Sequence, residues 1–66
     1  MVGEETTLKI KRKEQGLTQK QVAQKAKITT RGYQYVEAGK RLPKADTAIL
    51  IADILNSTVE ELFRTE

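Results

Sequence analysis

Residues 19–38, QKQVAQKAKITTRGYQYVEA, hold two amphipathic segments separated by a polar turn. Val22, Ala23 and Ala26 fall on one side of a helix that starts at Gln19, and Ile28, Tyr33 and Val36 form the apolar face of the second segment. Two such faces leave water only by meeting. Ala23 stands at the crossing with no more than a methyl group, so the two backbones can approach closely at a steep angle. Thr18 and Thr29 each place a hydroxyl just before a periodic run. Thr18 with Gln21 also has the form of a capping box, which gives the unpaired amides of the helix start local partners.

The flanks extend the same pattern. A helix is predicted from Glu5 or Thr6 to about Gln15, with Leu8 as its clearest core residue and Arg12 one turn further along the same face. Gly16 ends it and Leu17 turns back toward the core, while Lys9, Lys11 and Lys13 read as a solvated face. The second segment of the pair is predicted over Thr30–Ala38 and ends at Gly39. Pro43 precedes a fourth helix over about Lys44–Leu55, whose inner stripe is Ala48, Ile51, Ala52 and Leu55, with Ile49, Leu50 and Ile54 in excess of one face. Asn56 and Ser57 make a turn. Thr58 with Glu61 has the form of another capping box, for a short fifth helix ending near Arg64 in which Val59 and Leu62 close the core. The expected fold is all-α, a compact bundle of five short helices forming one domain over residues 1–66, with residues 1–4 frayed.

Composition narrows the function. A chain of 66 residues has room for one small core, burying roughly 60% of its unfolded surface. It contains neither cysteine nor histidine, so the commonest nucleophiles, general bases and metal ligands are missing, and no enzyme activity, cofactor, metal or small-molecule ligand is expected. No apolar run is long enough to span a bilayer, and the polar start MVGEETT does not resemble a signal peptide, which together imply a cytoplasmic protein. Charge is uneven along the chain: residues 1–41 carry ten Lys/Arg against four Asp/Glu, net +6, and residues 42–66 carry two against five, net −3. The basic portion contains the helix pair, which points toward phosphates as its partner.

Leu17, Thr18, Gln19, Val22, Ala23, Ile28, Glu37, Gly39, Lys40, Pro43 and Leu55 match, in order and spacing, the motif of the phage Cro/repressor, or lambda-repressor-like (XRE-type), helix-turn-helix domains. The resemblance covers nearly the whole chain. Two positions depart from it. Lys27 occupies the turn where that family has glycine, at a cost of about 1 kcal/mol if its backbone is left-handed. Gly32 lies inside the third helix, either by drift or to permit close approach of a partner.

The resemblance implies a sequence-specific regulator of transcription of bacterial or phage type, a repressor, that binds inverted half-sites on double-stranded DNA as a homodimer and so associates with the nucleoid. It implies that helix three enters the major groove, that Gln19 contacts the DNA backbone or a base edge, and that Arg12 forms a structural ion pair with Glu37. On a helical projection Tyr33, Val36 and Glu37 point inward, leaving Thr30, Arg31, Gln34 and Tyr35 outward as the candidate base contacts. Arg31 suits guanine and Gln34 suits adenine. Thr29, Lys40, Arg41 and Lys44 are candidates for the backbone, where contacts position a protein without reading sequence. The places of Leu50 and Ile54 are often polar in the family, so these two, with Phe63, are candidates for a dimer or partner surface; the alternative is burial of the pair under the N-terminal residues or the last helix, and of Phe63 in the core. With no linker or second domain in the chain, self-association would have to use the helical domain itself. The alternative is a protein-interaction module, antitoxin-like or coactivator-like, that keeps the fold and works through that apolar surface.

Overall fold

The computed structural model describes residues 6–63. Five helices follow one another: α1 (Thr7–Glu14), α2 (Gln19–Lys25), α3 (Thr30–Glu37), α4 (Ala45–Ile54) and α5 (Val59–Phe63). The expected fraying of residues 1–4 and the expected end of the last helix at Arg64 lie outside the described residues.

Side-chain oxygens start most of these helices. Thr6, Thr18 and Thr29 accept from the backbone amides of Lys9, Gln21 and Gly32 at 3.2, 3.1 and 2.9 Å. At Thr18 the box is reciprocal, since the Thr18 amide donates to Gln21 Oε1 at 2.8 Å. The Glu61 amide donates to Thr58 Oγ1 at 3.0 Å, while the Glu61 carboxylate accepts from the Ser57 hydroxyl at 2.6 Å. The start of α4 has no side-chain cap bond; it has the fixed turn at Pro43 and an acidic residue, Asp46, in its first turn, where the helix dipole favours negative charge.

One device closes α1 to α4. The residue after each C-cap is left-handed, Gly16 at φ +70°, Lys27 at +62°, Gly39 at +78° and Asn56 at +54°, and the following amide reaches back to the carbonyl five residues earlier. The bonds are Leu17 to Arg12, Ile28 to Ala23, Lys40 to Tyr35 and Ser57 to Ala52, at 2.8–3.2 Å. This arrangement satisfies carbonyls that a helix end leaves bare. Ile28 therefore belongs to the turn and not to the apolar face of α3.

The core is built of Leu8, Val22, Ala23, Ala26, Tyr33, Val36, Ile51, Ala52, Leu55 and Leu62, with Leu17, Ile28, Ile54 and Phe63 packed against it. Ala23 is fully buried where α2 meets α3, as its small volume allows. Three expectations are corrected. Ile54 and Phe63 pack against the core and do not form an open surface, because α4 packs on both α2 and α5 and so buries more than one stripe. Val59 is 37% exposed and closes little, since it opens the short α5. The open apolar residues of α4 are Ile49, 56% exposed, and Leu50, and Leu42 before it is barer still. None of the described helices is long and apolar enough to cross a membrane.

Gly32 also receives a local explanation. A Cβ there would stand 3.0 Å from Thr29 Oγ1, the hydroxyl that caps the helix. Lys27, by contrast, holds a backbone conformation that penalises any side chain. Lys27→Gly should raise stability by about 1 kcal/mol, read as a higher urea midpoint with an unchanged slope.

Candidate nucleic-acid interface

The geometry of α3 begins with its inner face. Tyr33, Val36 and Glu37 are buried, and Glu37, at 4% exposure, is the one buried charged residue among those described. Arg12 of α1 meets it with two bonds, Nε to Oε1 at 2.7 Å and Nη2 to Oε2 at 3.3 Å. Gln19, the first residue of α2, donates from Nε2 to Glu37 Oε2 at 2.9 Å. The Thr6 hydroxyl donates to the Glu37 main-chain carbonyl at 2.7 Å, and Arg12 Nη1 donates to the Leu17 carbonyl at 2.7 Å. One carboxylate thus ties α1, α2 and α3 together.

Burial alone would raise the Glu37 carboxyl, but the hydrogen bonds from Arg12 and Gln19 outweigh it and hold the group below its ordinary value. The guanidinium of Arg12 is correspondingly raised, chiefly by its bond to Glu37. Burial, followed by the neighbouring Glu37 carboxylate, pushes the Tyr33 hydroxyl upward as well. That hydroxyl is buried beside the pair without a hydrogen bond of its own among the described residues.

The outer face of α3 is different. Arg31, Gln34 and Tyr35 are exposed and Thr30 is half-buried. Arg31 has no hydrogen-bond or ion-pair partner among the described residues, so its guanidinium is free to meet a ligand. Gln34 donates from Nε2 to Gln19 Oε1 at 3.2 Å, which brings the two glutamines onto one surface. They share a groove of ≈ 310 Å³ with Lys9 and Ala38. On the other side of α3 a groove of ≈ 520 Å³ runs between the α2–α3 turn and the α3–α4 loop. Thr29, Gly32, Arg41, Lys44 and Lys27 line it, with Asp46 as the acidic member. Arg31, Thr30 and Lys40 line neither groove.

Besides the bonds of Gln19 to Glu37 and Gln34, two features escaped the sequence reading. The Arg41 guanidinium stacks over the Tyr35 ring, 5.4 Å from its centroid, which ties the loop cation to the outer face of α3. Lys27, noted in the sequence only as an odd turn residue, joins Arg41 and Lys44 in the larger groove; its place in a turn flanked by basic positions was the available signal. Leu50 of α4 is partly exposed and lines neither groove.

The arrangement separates a buried, paired charge, Glu37, from exposed ones such as Arg31. Glu37→Ala would leave the mostly buried Arg12 uncompensated and should cost about 3 kcal/mol in chemical denaturation, whereas Arg31→Ala should stay within about 0.5 kcal/mol of the parent. Because the folded-state value of Glu37 is depressed, its contribution is present above the unfolded value near 4.5 and is lost as pH falls through the lower folded one. An acid titration by circular dichroism should show that loss, and Glu37→Ala should lack this part of the slope.

A family model described as helix-turn-helix matches residues 8–62. Among curated proteins none matches. A solved structure described as the SinR protein/SinI protein complex is similar in fold, with a TM-score of 0.76 and 22% identity, over 86% of this chain and 56% of that one. The chain therefore spans little more than half the length of that neighbour.

Proposed function

The chain belongs to the helix-turn-helix family, of the lambda-repressor-like type, and on that premise we propose that it is a sequence-specific DNA-binding regulator of transcription, acting as a repressor. The observation that carries this reading is the division of α3. Its inner side is committed to the core, while Arg31, Gln34 and Tyr35 stand exposed on a rigid helix. A helix with one anchored and one polar, exposed face suits the major groove, whose width admits it.

Each residue then has a role set by its chemistry. Arg31 offers a forked donor to guanine, and Gln34 pairs with adenine. Thr30 meets a thymine methyl or a phosphate, and Tyr35 lies along the groove wall with Arg41 stacked on it. Gln19, Thr29, Lys40, Arg41 and Lys44 hold the sugar-phosphate backbone. Gln19 does so from the amino-terminal turn of α2, where helix amides favour an anion. So few base contacts give useful affinity only in duplicate, so the protein binds two inverted half-sites about one helical turn apart as a dimer. The open edge of α4 at Ile49 and Leu50 provides the apolar surface for the second copy.

A second reading is favoured by that same edge. The solved neighbour is a SinR protein in complex with a SinI protein, and here exposed Ile49 and Leu50 would receive a protein partner instead of a second copy. Leu50→Glu separates the two readings: loss of dimer and of cooperative DNA binding together supports the first, and unchanged DNA binding supports the second.

The central assignment is tested on DNA. Arg31→Ala should relax preference at one base pair, costing about 1–3 kcal/mol on the best site and little on others. Lys40→Ala should weaken all sequences alike and reduce the salt slope by about 1. Titrations at two salt concentrations read both effects, and unchanged affinity and slope in both variants would overturn the site.

A further inference from the structure

An amide that reads a base has two faces related by a half-turn, one presenting an acceptor beside a donor, the other presenting its donors. Nothing in Gln34 alone selects between them. We propose that Glu37, acting through Gln19, sets the face that Gln34 presents and so determines specificity at one base pair without touching DNA. The proposal rests on the reading of α3 as the major-groove helix.

The chain of bonds has a direction, and the direction originates in the buried carboxylate. Arg12 fixes Glu37 by two bonds at 2.7 and 3.3 Å. An ionised carboxylate can only accept, so Gln19 must turn its NH₂ toward Glu37 Oε2, as it does at 2.9 Å. Gln19 Oε1 is thereby directed the other way, where it accepts from Gln34 Nε2 at 3.2 Å. With one N–H occupied, Gln34 keeps its remaining N–H and its Oε1 for a ligand. One donor and one acceptor side by side match the N7 acceptor and N6 amino donor of adenine. The opposite face would bring two carbonyl oxygens together at Gln19, losing a hydrogen bond and setting lone pairs against each other. Outward, that face would present donors alone, which match O6 and N7 of guanine. Glu37 is 4% exposed, so its influence passes through side-chain orientation and not through direct touch.

Three variants of the full chain test this on duplexes differing only at the base pair in question. Gln34→Ala first identifies that pair, as the one position whose identity ceases to matter. The parent should favour adenine over guanine there by about tenfold. Gln19→Ala releases Gln34 to either face, and the ratio should fall to about twofold. Removing the hold of Gln19 on a phosphate lowers both affinities together and leaves the ratio untouched. Glu37→Gln should reverse the preference toward guanine. The new amide keeps its oxygen on Arg12 and turns its NH₂ to Gln19, which then accepts and donates onward to Gln34 Oε1. Should Glu37→Gln fail to fold, Gln19→Ala alone decides. An adenine-to-guanine ratio in Gln19→Ala equal to the parent's, at a position Gln34→Ala has shown to be read by Gln34, would overturn the proposal. If Gln34→Ala alters preference at no position, the reading of Gln34 as a base-reading residue fails first and the proposal with it.

Discussion

The carboxylate of Glu37 is the point on which the arrangement of the first three helices depends. It is buried, charged and satisfied, with Arg12 of α1 and Gln19 of α2 on its oxygens and Thr6 on its backbone carbonyl. Such a group is a poor source of net stability, because the desolvation of two charges offsets most of their attraction, and an apolar replacement of the whole set can do as well. Its value is geometric. Apolar packing tolerates sliding, whereas a carboxylate with directional donors on two helices fixes the rotation of α3 about its own axis. That rotation decides which residues of α3 face outward, so a structural ion pair governs the composition of the exposed face.

The remaining construction follows from the small size of the domain. Short helices have little stability alone, and here each depends on closing its ends. Threonine hydroxyls open α1, α2 and α3, and a left-handed residue closes each of the first four helices with a bond back to the carbonyl five residues before. The core is correspondingly economical, with Ala23 and Ala26 permitting close packing and Tyr33 supplying bulk. The Tyr33 hydroxyl, buried beside the ion pair with no hydrogen bond among the described residues, carries a desolvation cost. It is accepted where the ring fills the space between α3 and its neighbours. On the outer face of α3, Gln34 is tied to Gln19 and Tyr35 to Arg41, whereas Arg31, in the first turn of the helix, stands exposed without such a tie among the described residues.

Much of this was legible in the sequence, for reasons that differ by residue. Thr18 with Gln21 announces a helix start because the capping box is a local interaction. Gly16 and Gly39 announce helix ends because they suit a positive φ that side chains oppose. Lys27 and Asn56 do the same work with less suitable residues, and only the surrounding pattern marked them. The inward set Tyr33, Val36 and Glu37 followed from helical periodicity, whereas the burial of Ile54 and Phe63 did not, since periodicity along α4 says nothing of how many neighbours it packs against. Least legible were the meetings between elements. Gln19 and Gln34 lie fifteen residues apart and meet only through the crossing of α2 with α3, and Arg41 reaches Tyr35 only through the course of the loop. The residue types of the candidate interface were therefore readable, but their mutual orientation was not.

On this reading the helical domain distinguishes base sequence and does not merely attract phosphates. Selection of binding sites from a random pool of DNA duplexes by the full chain tests it most directly, followed by titration of the enriched site against a scrambled one at two salt concentrations. An inverted repeat with half-sites about one helical turn apart should be enriched, with a preference over the scrambled duplex that persists as salt is raised. Binding that is indifferent to sequence and vanishes with salt would contradict it, leaving a basic domain held by counterion release alone.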